Sequence, residues 1–260
     1  MIEQFRLDGK TALVTGGSQG LGLAMAEALA SAGADVALVA RDAGRLAAAA
    51  AQLERFGTRV VTVPDDLGIV DQVFAAVDAA AEQLGGLDIA VTAAGTQVRK
   101  PAFEVTPEEW DHVVAVNLRG VYFTCQRAAS HMLKRERPSG GGIRGKIINI
   151  ASLTAAVPWP LVSVYGVTKD GVAQMTKALA NEWGPEGICV NAIGPGSFPT
   201  ELTGPLYSDP QRVEEILARM PLGRPGKPAD LAGATILLAS PASDYITGQL
   251  LWVDGGWLVG

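Results

Sequence analysis

The sequence predicts an α/β fold: a doubly wound, seven-stranded parallel sheet with helices on both faces. Three observations carry this expectation. Seven short apolar runs rich in β-branched residues recur along the chain, longer stretches of helical periodicity separate them, and a glycine cluster follows the first run directly. An order of strand, helix, strand implies parallel strands joined by right-handed crossovers. The strands are expected at 11–15, 36–40, 60–63, 89–93, 147–151, 189–193 and 250–253. The helices are expected at about 20–32, 43–56, 69–84, 107–135, 164–184 and 229–239. The start of the fourth helix is the best marked: Thr106-Pro107-Glu108-Glu109 places a capping hydroxyl, a first-turn proline and a capping-box glutamate in sequence. The stretch 135–146 carries Pro138, three consecutive glycines and the cations Arg135, Arg137, Arg144 and Lys146, which predicts an exposed basic loop. A second irregular region, 194–210, follows a strand, where α/β folds place ligand-contacting segments, and is expected to act as a mobile lid.

The length of 260 residues exceeds a prior of roughly 150 per domain, yet no linker-like break divides it. A single domain is expected, with a cofactor half at about 1–145 and a catalytic and substrate-binding half at about 146–260. With 48% hydrophobic and 18% charged residues the chain can bury a large core and is too apolar for disorder. A net charge of -6 gives no electrostatic footprint for nucleic acid or an anionic membrane surface. Two cysteines, Cys125 and Cys189, are too few for a disulfide scaffold and fit a reducing cytoplasm. His112 and His131 stand far apart, so no metal site is expected. Nowhere do about 18 apolar residues run consecutively, and no signal peptide or membrane span is expected.

The first strand ends in Thr15-Gly16-Gly17-Ser18-Gln19-Gly20-Leu21-Gly22, followed at once by an alanine-rich helix. Glycines at 16, 20 and 22 keep the turn tight, let a pyrophosphate approach the backbone and let helix and sheet pack closely, which points to a Rossmann-type dinucleotide site. Where a carboxylate at the end of the second strand would favour NAD(H), this chain has Ala40 and then Arg41. Arg41 can pair with a 2′-phosphate, so NADP(H) is the expected cofactor, NAD(H) remains possible, and a plain surface arginine is the alternative. Asp66, after the third strand, can accept from an adenine amino group or cap a turn.

Tyr165 and Lys169 lie four residues apart within one expected helix and so share a face. An ammonium beside a phenol can lower its pKa and make it an acid and base near neutral pH. Ser152, just past the fifth strand, can hydrogen-bond a carbonyl oxygen or serve as a simple cap.

Taken together these motifs resemble the short-chain dehydrogenase/reductase family over nearly the whole chain. The matching elements are Thr15 to Gly22, Ala93-Ala94-Gly95, Asn117 in Val116-Asn117-Leu118, Ser152, Tyr165 with Lys169, and Pro195-Gly196. The resemblance implies a catalytic tetrad. Tyr165 moves the proton, Ser152 steadies the carbonyl oxygen, Lys169 tunes Tyr165 and holds the nicotinamide ribose, and Asn117 supports a water relay, while hydride passes directly between nicotinamide and substrate carbon. It also implies cofactor contacts from Ser18, Gln19, Leu21, Leu67, Ala94, Gly95, Pro195, Gly196, Phe198 and Thr200, and a homotetramer with the long helices and the segment from Trp252 to Trp257 at subunit contacts. One departure stands out: the family's usual paired asparagines before Gly95 are Ala93 and Ala94 here, which is expected to affect local stability and not chemistry.

Within the family the segments 95–101, 181–183 and 253–257 are similar to the sugar-acid members, the gluconate 5-dehydrogenases and 2-deoxygluconate 3-dehydrogenases. Arg99, with Gln97 beside it, can bind a substrate carboxylate bidentately or make an ordinary salt bridge. Trp159, with Pro158 and Leu161, is expected to wall the substrate pocket with apolar surface, which suits a bulky cyclic or aryl ketone as well as a polyol. The expectation is therefore an NADP(H)-preferring ketone/alcohol oxidoreductase on a small molecule, a sugar acid in the leading reading. A 3-oxoacyl thioester or a bulky ketone is the alternative substrate, with 135–146 as the one basic patch for a carrier protein. A non-catalytic NADP-sensing binding protein is the alternative from another class.

Overall fold

The computed structural model describes residues 2–260, at positions 205, 206 and 212 by backbone alone. Seven parallel strands form one sheet: β1 (Thr11–Thr15), β2 (Asp35–Ala40), β3 (Val60–Pro64), β4 (Ile89–Thr92), β5 (Gly145–Ile150), β6 (Ile188–Pro195) and β7 (Leu250–Val253), in the spatial order β3-β2-β1-β4-β5-β6-β7. The helices are α1 (Gly20–Ser31), α2 (Ala43–Leu53), α3 (Val70–Leu84), α4 (Pro107–Val114), α5 (Gly120–Leu133), α6 (Ser163–Trp183), α7 (Gly204–Tyr207), α8 (Pro210–Ala218) and α9 (Ala232–Ala239). Every residue of β5 and β6 is buried, because helices cover both faces of a parallel sheet and its central strands meet no water. One core joins the sheet to α3, α5 and α6, centred on Val77, Met132, Ile147 and Val172. The other joins it to α1, α2 and α9, centred on Leu29, Leu38, Leu46 and Ile148.

The expected elements are all present, with four differences that have physical causes. The fourth helix is not continuous: between α4 and α5 the residues Ala115–Arg119 form a π-helical turn that carries Asn117. Its N-terminus is as expected, with the Thr106 hydroxyl accepting from Glu109 N and the Glu109 carboxylate accepting from Thr106 N. β5 begins at Gly145, so Lys146 belongs to the sheet and not to the exposed basic loop. Its buried ammonium is held 2.8 Å from the Asp244 carboxylate and donates to Ser243 Oγ at 3.1 Å. β6 runs on to Pro195, and the segment expected to be irregular up to 210 contains the short helix α7. The last expected helix opens as a 3-10 turn, Pro228–Leu231, before α9.

Four buried polar side chains of the core pair with one another. Thr92 Oγ1 and the Cys125 thiol both donate to Asn149 Oδ1, and Asn149 Nδ2 donates to Thr176 Oγ1. Burial pushes the Cys125 thiol up to about 12, which leaves it an inert packing group. No helix among the described residues is long and apolar enough to cross a membrane.

Helices α3 and α5 are tied at their surface by Asp78, whose carboxylate accepts from Arg127 Nε at 2.6 Å and Nη2 at 2.5 Å, with His131 Nε2 at 2.7 Å. The Arg127 hydrogen bond is the main reason that the carboxyl is held at about 2. The folded value lies below the ordinary one, so the stabilisation is present above 3.8 and is lost as pH falls toward about 2. The group is 40% exposed, which limits its worth to about 1 kcal/mol. Asp78→Asn should therefore lower urea stability by about 1 kcal/mol at neutral pH, with the gap to the parent closing in acid. A gap that stays constant with pH would show that the lost charge is not the cause.

Candidate active site

β1 and β4 are neighbours in the sheet, but the chain leaves them toward opposite faces, so a crevice opens at their carboxyl ends. The loop after β1 is shaped by two close approaches: a Cβ at Gly16 would lie 2.8 Å from the Ala94 backbone, and one at Gly22 would lie 2.3 Å from the Gly16 carbonyl oxygen. Helix α1 therefore starts right at the sheet edge. Its N-cap residue, Gln19, gives no side-chain cap, so the first-turn N–H groups stay open to an anion. Gly20 has φ +57, and a Cβ there would meet only Thr200, at 3.9 Å, which keeps the surface above the helix start clear.

A cleft of about 340 Å³ runs over this point. Of the residues expected at a cofactor, Gly16, Ser18, Gln19, Gly20, Leu21, Gly22, Arg41, Asp66, Leu67, Ala94, Gly95, Tyr165, Lys169 and Thr200 all line it. Pro195, Gly196 and Phe198 do not; they line an adjoining cavity of about 150 Å³. Asp66 already has a turn-capping duty, with Oδ1 accepting from Gly68 N at 2.9 Å. Arg41 stands exposed at one end of the cleft, and among the described residues it has no ion-pair partner. The sequence reading missed the second cation there. Arg45, in the first turn of α2, lines the same end and pairs with Glu201 at 2.9 Å. Its signal was present: Asp42 caps α2 by accepting from Arg45 N, which puts residues 41 to 45 around one tight corner. Such a cleft can hold a dinucleotide: phosphates at the start of α1 and a further anion beside the arginines.

At the other end, α6 brings Tyr165 and Lys169 to the cleft, and the turn after β5 brings Ser152 beside them. Ser152 Oγ accepts from Thr154 N at 3.2 Å, which fixes its rotamer. The Lys169 ammonium donates to the Ile150 carbonyl at 2.7 Å and lies 5.6 Å from the Tyr165 ring centre. Burial lowers Lys169 to about 8. Burial also raises the Tyr165 hydroxyl, while hydrogen bonding with Ser152 acts the other way. Desolvation outweighs that hydrogen bond, so the phenol of the free protein lies above its ordinary value.

Asn117 lines neither space; it is fully buried behind the cleft. Its Oδ1 accepts from Thr96 N at 2.8 Å, and its Nδ2 donates to Thr96 O at 2.8 Å and to Thr168 Oγ1 at 3.3 Å. The side chain thus joins the loop after β4 to α6.

The smaller cavity gathers the expected Gln97, Arg99, Ser152, Trp159 and Tyr165, and adds Leu153, Val162, Ile216 and Trp257. Pro158 and Leu161, expected in this wall, do not line it. Leu161 has φ +69, and its carbonyl accepts from Lys100 N at 2.9 Å, so it serves to fasten this loop to the one after β4. Trp257, expected near subunit contacts, is buried and faces Trp159 with ring centres 5.4 Å apart. Asp254 sets that turn by accepting from Gly256 N and Leu258 N.

A family model described as enoyl-(acyl carrier protein) reductase matches residues 16–258. The chain is 41% identical over 258 residues to the 2-dehydro-3-deoxy-D-gluconate 5-dehydrogenase of Escherichia coli (strain K12), covering 99% of each. It is 39% identical to 3beta-hydroxysteroid dehydrogenase 1 of Eggerthella lenta, covering 96% of this chain and 94% of that protein. Among solved structures, a gluconate 5-dehydrogenase from Burkholderia cenocepacia J2315 in complex with NADP and tartrate superposes with a TM-score of 0.93 at 38% identity, covering 100% of this chain and 99% of that one.

The ionisation of Lys169 can be read directly. It is a cation below about 8 and loses its proton as pH rises through that value, well before an ordinary lysine at 10.5. Carbon-13 NMR of labelled lysine ε-carbons should show one early titration that vanishes in Lys169→Met; titration of all lysines together would refute the assignment.

Proposed function

Because the chain belongs to the short-chain dehydrogenase/reductase family, we propose that it interconverts a ketone and a secondary alcohol with Tyr165 as acid and base, NADP(H) as favoured dinucleotide, and a sugar acid as substrate. The observation that carries this is the meeting of Ser152, Tyr165 and Lys169 where the long cleft joins the smaller cavity. The bound dinucleotide supplies or takes up the hydride. In reduction the Tyr165 hydroxyl gives its proton to the carbonyl oxygen, and in oxidation it takes the alcohol proton. Ser152 donates a hydrogen bond to the same oxygen and holds it at the phenol. The Lys169 ammonium favours the phenolate that forms when Tyr165 gives up its proton, and Asn117 keeps the loop at Gly95 in register with α6. Arg41 supports the NADP(H) preference by its place at the end of the cleft away from Tyr165, where a 2′-phosphate would lie.

Two things support a sugar acid: Arg99 at the cavity mouth, able to take a carboxylate, and relatives named for gluconate derivatives, one of them solved with tartrate. The second reading is an apolar cyclic ketone. It is favoured by Trp159, Trp257, Phe198 and Leu153 in the cavity wall and by a relative named as a hydroxysteroid dehydrogenase. A carrier-bound thioester has less support. Arg135 is paired with Asp88, Arg144 with Glu186, Lys146 is buried with Asp244, and Arg137 donates to backbone carbonyls, so the basic stretch is spent internally.

Tyr165→Phe should retain NADPH binding and lose turnover by about 10³-fold; near-normal turnover would refute its role as acid and base. For the substrate, absorbance at the NADPH band should be followed with 5-ketogluconate, an acetoacetyl thioester and a bulky cyclic or aryl ketone. The sugar-acid reading expects the keto acid to be preferred and the preference to fall with Arg99→Ala. Preference for the cyclic ketone, lost on Trp159→Ala, would replace it with the second reading.

A further inference from the structure

Arg45 is held on three sides. Its guanidinium donates to Glu201 at 2.9 Å and 3.5 Å, donates to Gln19 Oε1, and lies 3.6 Å from the Asp42 carboxylate. These partners come from separate parts of the chain: Gln19 from the loop after β1, Asp42 from the cap of α2, and Glu201 from the segment after β6. Glu201 is also fixed from its far side, because the carbonyl of the next residue, Leu202, accepts from Gln97 Nε2 at 2.7 Å. The carboxylate therefore stands at the cleft end that also holds Arg41, as a settled feature and not as a wandering surface charge.

We infer that Glu201 is a specificity-determining residue that sets how strictly the protein separates NADP(H) from NAD(H), by holding Arg45 away from the 2′-phosphate. The inference rests on the proposed placement of the adenosine end beside Arg41. A phosphate monoester there brings close to two negative charges and outcompetes a single carboxylate for a guanidinium. Arg45 and Glu201 are 50% and 65% exposed, so their pair is weak enough to be exchanged. The exchange leaves Glu201 unpaired and close to the new dianion, a cost that NAD(H) never meets because it lacks the group. Glu201 thus weakens the phosphorylated dinucleotide selectively, and Arg41 and Arg45 strengthen it.

The test is equilibrium binding, with NADPH and NADH titrated into the full chain and followed by energy transfer from tryptophan to the dihydronicotinamide. Glu201→Gln should tighten NADPH by about fivefold while moving NADH by less than about twofold. In the Arg45→Gln background the same change should bring a smaller gain, because the cation it would release is gone and only the repulsion between carboxylate and phosphate is relieved. Raised salt should shrink the effect. An NADPH-to-NADH affinity ratio that stays within about twofold of the parent, or a gain that persists undiminished without Arg45, overturns the inference. The NADP(H) reading beneath it is judged on a different quantity, the parent ratio and its response to Arg41→Asp. Tighter parent binding of NADH with no response to that change overturns the reading, whereas the inference stands or falls on the shift that Glu201→Gln produces.

Discussion

The arrangement of the site depends on one buried amide. Asn117 grips Thr96 at both its N–H and its carbonyl, in the manner of a paired strand, and spends its remaining donor proton on Thr168 Oγ1. The Thr168 hydroxyl passes the link on to the Tyr165 carbonyl at 2.7 Å. Three segments far apart in sequence are thereby locked: the loop after β4, the π turn and the first turns of α6. The same grip holds Gly95 where a Cβ would come 3.9 Å from the Lys169 ammonium and 3.6 Å from Asn117 Oδ1. The spacing between that loop and the helix bearing Tyr165 and Lys169 is thereby set by a buried, fully bonded amide. The π turn is what permits it. One extra residue in the helical ladder frees backbone groups and swings Asn117 inward, which a regular helix through 107–133 would not do.

The legible part of the sequence was the part governed by local rules. The parallel direction of the strands follows from the alternation of apolar runs and helical stretches, the start of α4 from Thr106-Pro107, and the α1 junction from glycines that only close backbone approach explains. Tyr165 and Lys169 were legible because helical spacing alone places them together. What was missed depends on partners distant in sequence. Lys146 read as a loop cation because nothing near it announces Asp244 and Ser243, which neutralise it nearly a hundred positions later. Arg45 was not singled out, since its role shows only when the segment after β6 folds back over the cleft with Glu201. Asn117 was legible in Val116-Asn117-Leu118, whereas the π turn that carries it was not, because such a turn has no propensity signal to predict it.

The division between fixed and variable parts explains how one frame can sit near relatives named for both sugar acids and steroids. Ser152 stands on the turn after β5, its Oγ pinned by Thr154 N, and Tyr165 and Lys169 stand on α6, a long helix packed on the core. Their geometry is set by elements that barely face the substrate. The opposing walls come from the turn containing Trp159, the segment from Phe198 to Thr203 and the last residues at Trp257, none of which carries Ser152, Tyr165 or Lys169. Substitution there reshapes the cavity and leaves the proton chemistry in place. Trp159 and Trp257 also offer flat faces, and the C–H face of a sugar ring packs on such a surface much as a carbocycle does. An aromatic wall by itself therefore does not oppose an acidic polyol. What separates the two substrate classes is Arg99 at the cavity mouth, whose guanidinium can take a carboxylate bidentately and offers an apolar ring no comparable contact.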